Sequence, residues 1–231
     1  MAPINIFKVS QGDRHKFCAD LIDSSAPRAD FYFLVILSTL IVALGLLADN
    51  VILVIGGMLV TPLLSPILAV ALGVVISDYK VIKRSVRIFL VAFILAFLVA
   101  FILGIFSSTQ VSEIGLIKVM APSLFTFFVA LIAGLAASYT WVKPNLNSTL
   151  PGVAITVTLI PPLTAVGLAV ADRDWLIFNN VLKTLLLNIF GIIVASLIVF
   201  SLMDFYKAKK KVAEEVKEEE EKIKKEENGN K

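Results

Sequence analysis

The stretch 51-VILVIGGMLVTPLLSPILAVALGVVIS-77 decides how this chain folds. No charged residue interrupts these 27 positions, and roughly 18 such residues suffice to mark a membrane span. Yet Pro62 and Pro66 stand near the middle, with Thr61 and Ser65 beside them. A proline removes one backbone donor and clashes with the preceding turn. The stretch therefore reads as a membrane helix broken at its midpoint.

The rest of the chain has the same character. Of 231 residues, 58% are hydrophobic, and the mean hydropathy is +0.90; soluble domains lie nearer half apolar. Uncharged runs cover 31–48, 51–77, 88–112, 119–142, 144–171 and 184–203. The fifth becomes apolar near Leu150, and the sixth extends back to Leu176 if Lys183 is tolerated. The expectation is an all-α polytopic membrane bundle of six spans, because only helices or closed barrels satisfy the backbone in lipid. Barrel strands would alternate in polarity, and these runs do not. No apolar core precedes Phe31, so the first span is expected to remain as an anchor rather than be cleaved.

Orientation follows from Lys and Arg. Of the 21 such residues, 18 fall in the N-terminal segment, the second and fourth loops and the C-terminal tail. Lys118, Arg173 and Lys183 fall on the other side. Both termini are expected in the cytoplasm, with the protein in the cell membrane. The organisation expected is a cytoplasmic segment (1–30), two three-span units (31–112 and 113–203) and a charged tail (204–231).

Metal and disulfide chemistry find little support. Cys18 is the one cysteine and His15 the one histidine, and structural zinc takes four ligands. No metal, cofactor or nucleic-acid partner is expected.

Sliding the sequence by 96 positions matches Gly56 with Gly152, Pro66 with Pro162 and Asp78 with Asp174, and sets Arg87 on Lys183. The broken stretch thereby acquires a partner, 151-PGVAITVTLIPPLTAVG-167, with Pro161 and Pro162 near the middle of the fifth span. Three spans per unit is an odd number, so the second unit enters the membrane from the opposite side. The two units then form an inverted repeat. In transporters, paired broken helices of this kind build a solute site near the midplane.

The same residues carry a family resemblance over roughly 30–203. The segments around "GGMLVTPLLSPI" and "PGVAITVTLIPPL" resemble the two signature blocks of the uncharacterised hydrophobic domain family, domain of unknown function 389. The first pattern falls on Gly56, Met58, Leu59, Pro62, Leu63, Pro66 and Ile67. The second falls on Pro151, Gly152, Val153, Ala154, Pro161, Pro162 and Leu163, with a later Asn on Asn188. Gly57 and Thr61 depart mildly from the family's usual residues. The resemblance implies an integral membrane fold and names no substrate. Many members place a soluble domain before the first span, where this chain has about 30 residues.

The function expected is a channel or secondary transporter for a small solute or ion, passing between the two broken helices. The arrangement is similar, at fold level alone, to the formate/nitrite channels. The solute-contacting candidates are Gly56, Thr61, Pro62, Ser65, Pro66, Gly152, Thr158, Pro161, Pro162 and Asn188. The candidates for gating or end charges are Asp78, Arg87, Asp174 and Lys183. No Asp or Glu stands inside a span, which disfavours proton coupling. An enzyme is not expected, since no set of nucleophile and base exists. The partners expected are the bilayer, a small solute or ion, and further copies of the chain. The alternative is a structural or signalling membrane protein acting through oligomerisation or its charged tail.

Overall fold

The computed structural model describes residues 9–143 and 159–208, with 146, 216–218, 221 and 223. All regular structure among them is helical. The helices are α1 (Gln11–Ser24), α2 (Ala29–Leu47), α3 (Val51–Val60), α4 (Leu64–Val75), α5 (Tyr79–Phe106), α6 (Gly115–Lys118), α7 (Leu124–Val142), α8 (Ile160–Ala171) and α9 (Trp175–Leu202). Four of these, α2, α5, α7 and α9, are long and apolar enough to cross a membrane, and α3 with α4, bent by 53° at the break, makes a fifth if the pair is taken as one span. The molecule is a membrane-embedded helical protein. The stretch that would open the fifth expected span lies outside the described residues.

Side-chain acceptors start the helices. Asn50, Asp78 and Asp174 accept backbone N–H groups from the first turns of α3, α5 and α9, the ordinary work of an N-cap. Each follows a helix end with the same closure. Asp49, Ser77 and Arg173 take positive φ of 48°, 52° and 60°. The next residue's amide returns to a carbonyl five back: Asn50 to Gly45, Asp78 to Gly73 and Asp174 to Ala169, at 2.8–3.0 Å. This is the Schellman closure, made three times without glycine at the left-handed position.

Helix α5 shows how these faces are sorted. Ala92, Ala96 and Ala100 are buried at four-residue spacing, while Leu90, Ile94, Leu98 and Ile102 are exposed. Small residues inside and large apolar residues outside suit a helix packed against neighbours in lipid. At 28 residues it is about 42 Å long, more than a bilayer core of about 30 Å. Its first turns carry Lys80, Lys83, Arg84 and Arg87. The sequence suggested a loop there; the helix continues, because charged straight-chain residues are good helix formers.

The break at 61–63 lets α3 and α4 pack on different neighbours. Helix α3 lies against α2, whereas α4 lies against α5 and α9. Gly57 makes the first contact: a Cβ there would sit 2.5 Å from Val42 Cγ2 and 3.0 Å from the Ser38 carbonyl. Helix α8 packs between α5, α9 and α2. The C-terminal part of α4 meets the start of α5, where Gly73 backs onto Ile82. The C-terminal part of α8 meets the end of α5, where Gly104 backs onto Ala171. The two twelve-residue helices thus run outward toward opposite ends of α5, and both begin nearer its middle.

Helix α1 joins the bundle. Phe17, Cys18, Leu21 and Ile22 are buried in one cluster with Leu72, Val142, Phe200 and Phe205. Arg14 reaches Asp204 at 3.9 Å. His15 is exposed and Cys18 fully buried, so the two do not share an accessible site.

Candidate functional site

The first turn of α8 opens onto a cavity of about 340 Å³. Val54, Ile55 and Met58 of α3 face it, with Pro161 and Pro162 of α8, and Thr184 and Asn188 of α9. Leu116, Val119, Met120 and Ala121 also line it. Thr184 and Asn188 share a face because they stand four apart on one helix. The Thr184 hydroxyl lies 3.0 Å from both the Met120 and Asn180 carbonyls. It therefore ties α9 to the connecting segment and keeps only its lone pairs for a visitor. Asn188 is 3% exposed and brings a carboxamide to a wall that is aliphatic apart from it, Thr126 and Thr184. Among the described residues no charged side chain lines this space.

The prolines act differently from what their mid-span position suggested. Pro66 is the third residue of α4, and Pro161 and Pro162 are the second and third of α8. In a first turn the missing N–H has no intrahelical partner to lose. The prolines start these helices rather than kink them. They also thin out the amides that a helix N-terminus would present. At α8 the Leu163 amide bonds the Leu159 carbonyl at 3.2 Å, and Ile160 is the one non-proline residue among the first three of the helix.

The other candidates are scattered. Gly56 is exposed on α3, with open space where a Cβ would point; Gly57 is the glycine that packing requires. Ser65 donates to the Ser24 carbonyl at 2.9 Å and the Pro62 carbonyl at 3.0 Å, pinning the start of α4 to the end of α1. Thr61 closes α3, and its buried hydroxyl oxygen has no hydrogen-bond partner among the described residues. Pro62 lies in the break itself. Asp78 and Asp174 are N-caps. Arg87 on α5 and Lys183 on α9 are exposed. Gly152 and Thr158 lie outside the described residues. Of the expected set, the structure brings together Pro161, Pro162 and Asn188, and turns Ser65 away toward α1.

Met58, Met120 and Thr184 were absent from the expected site. Thr184 was within reach of the sequence through its spacing from Asn188. Met120 was not, because nothing in a linear pattern says which loop folds over which helix. Thr164 is fully buried in α8, and its hydroxyl has no partner among the described residues, which adds a polar group close to the same helix start.

A family model described as a domain of unknown function (DUF389) matches residues 58–194, more than half of the chain and all of the segment from the break to the middle of α9. An uncharacterized protein of Methanocaldococcus jannaschii is 28% identical over 168 residues, covering 73% of this chain and 52% of the relative. The chain thus spans about half the length of that curated relative. No solved structure matches.

Proposed function

This chain belongs to the family defined by the domain of unknown function DUF389, and from that premise we propose a channel or secondary transporter that passes a small uncharged solute. The cavity at the start of α8 carries the reading, with Asn188, Thr184 and Thr126 as its polar lining in a largely aliphatic wall. An ion entering it would lose its hydration and find no compensating charge. Helices α4 and α8 both start nearer the middle of the bundle, so the positive ends of their dipoles point inward. That polarity opposes a cation further. Monovalent anions are the second solute class, weakened by the prolines that take amides from both helix starts.

An inverted repeat of two three-span units is part of this reading. Helices α4 and α8 are each 12 residues long, and α5 and α9 each 28, with bounds offset by 96 positions. The left-handed residues Ser77 and Arg173 and the caps Asp78 and Asp174 keep the same offset. In such repeats the solute site lies where the broken helices meet. The Lys and Arg distribution supports both termini in the cytoplasm.

The test is solute flux into proteoliposomes with a panel of small neutral solutes, monovalent anions and monovalent cations. Wild type is compared with Ile55→Trp and Ala121→Trp, which fill the cavity from two sides. Flux of the neutral class, lost in both folded variants, is the expected result. Absence of flux for every class from well-folded wild type would overturn it in favour of a structural membrane role through oligomerisation or the charged tail.

A further inference from the structure

A second cleft, of about 670 Å³, opens where α5 ends and α8 turns into α9. One wall is apolar, formed by Leu47, Phe101, Ile105 and Leu168. The other carries the hydroxyls of Ser107, Ser108 and Thr109 beside Arg173.

What this cleft holds follows from its counterpart. Moving its lining by 96 positions carries Leu168 to Leu72, Asp172 to Ile76, Gly104 to Phe200, Ser107 to Met203 and Thr109 to Phe205. An offset of 95, which relates α2 to α7, carries Leu47 to Val142. All six destinations belong to the cluster that seats α1 through Phe17, Cys18 and Leu21. Ser108 moves to Asp204, the partner of Arg14. At one end of the bundle, therefore, the groove is filled by an amphipathic helix. At the other end the equivalent groove is open.

The two grooves differ in chemistry. Phe200, Phe205, Met203 and Ile76 line the filled one; Gly104, Thr109, Ser107 and Asp172 replace them in the open one. The aromatic anchors that hold Phe17 at 5.3 and 5.0 Å between ring centroids are gone. A second helix like α1 would find no matching surface. The open groove suits a molecule with an apolar tail and a phosphate-bearing head. Arg173 makes no ion pair among the described residues, and Ser107, Ser108 and Thr109 line the same cleft, with Ser107 Oγ accepting the Thr109 amide at 3.1 Å. Trp175, 61% exposed, lines the same cleft, and Trp is a residue of the membrane–water boundary.

We propose that this cleft binds a phospholipid, its phosphate held by Arg173 and the Ser107–Thr109 hydroxyls and one acyl chain lying along Phe101, Ile105 and Leu168. Asp172 accepts the Val111 amide at 2.8 Å and so fixes the loop that carries the hydroxyls. Its charge also offsets that of Arg173. Recognition therefore falls on the phosphate rather than on the net charge of the head. Phosphatidylglycerol and phosphatidylethanolamine both fit, and a lipid without phosphate does not. The site rests on the repeat of the preceding section and does not depend on transport.

Native mass spectrometry of the full chain, stripped of lipid in detergent and then offered single lipids, tests the proposal. Arg173→Gly removes the guanidinium while placing glycine at a left-handed position that suits it. Thr109→Phe restores the aromatic of the filled groove. Wild type is expected to retain one phospholipid per chain. Both variants are expected to retain about tenfold less, the scale of losing a charge-assisted contact or its space. Diacylglycerol is not expected to bind, nor inorganic phosphate to raise the thermal midpoint. Equal retention by wild type and both variants, diacylglycerol bound as well as phospholipid, or inorganic phosphate acting as well as the lipid would each overturn the assignment. Because retention is read without flux, a failed transport reading leaves this outcome intact.

Discussion

Helices α4 and α8 have the same length, carry proline in the first turn and end in the same left-handed closure before an aspartate cap. They differ in what meets their starts. Ser65 ties α4 to the Ser24 carbonyl. The equivalent position in α8 is Pro161, which faces the cavity. Leu68, buried in the α1 cluster, corresponds to Thr164, buried with an unpartnered hydroxyl. The two helices share backbone form but not side-chain chemistry: the start of α4 is tied to α1, and the first turn of α8 faces a cavity.

The strongest way to break this comparison is to separate the halves physically. A Cβ at Gly167 would meet Ala100 Cβ at 2.7 Å and the Phe97 carbonyl at 2.8 Å. Gly167→Val is expected to cost about 3 kcal/mol by overpacking, read as a lowered thermal midpoint and loss of the monodisperse peak. Gly56→Ala, at the open position of α3, is expected to gain about 0.5–1 kcal/mol from helix propensity. Similar losses in both would show that the close approach at α8 is not what holds it.

Ser65→Ala tests the anchored start. Two carbonyls lose their partner, and about 1–2 kcal/mol of stability is expected to go. Limited proteolysis should show faster cleavage between α1 and α2 if the tie is what holds α1 down; an unchanged rate would assign that hold to Phe17 and its ring partners alone.

The equivalence of the closures is sharpened by Asp78→Ala and Asp174→Ala. Each removes one N-cap and is expected to cost about 1 kcal/mol. The two midpoints should drop by similar amounts. A difference of more than about 1 kcal/mol would mean that one aspartate has a second duty beyond its cap.

The smallest effect is expected at Thr164→Val, which removes a buried hydroxyl without changing shape. A gain of under about 1 kcal/mol follows if the group is unpartnered. A loss of stability, or of flux with stability kept, would show that a bound molecule uses it.

Much of the architecture was legible from polarity alone. The break at Pro62 and the long apolar helices follow from residue types at fixed spacings, whereas Pro66, Pro161 and Pro162, read as mid-span breakers, lie in the first turns of α4 and α8. Asp78 and Asp174 were legible as an equivalent pair, and the structure adds that each caps the helix that follows it. The site was less legible. Pro161, Pro162 and Asn188 converge on the cavity, whereas Gly56, Ser65 and Pro66 do not. The burial of Phe17, Cys18, Leu21 and Ile22 was hidden because α1 reads as a polar segment, in which a few apolar residues among many charged ones do not announce a packed face.

The sequence by itself determined that this chain enters a membrane, where it breaks, and that its halves share a pattern at an offset of 96. Those properties are local: apolar length against bilayer thickness, a missing amide at each proline, a side-chain acceptor before α3, α5 and α9. Tertiary structure alone decided which helix start faces a cavity, which of two neighbouring glycines bears a contact, and which of two related grooves is filled. Those depend on what lies across from each face, and a face is created only when two distant segments meet.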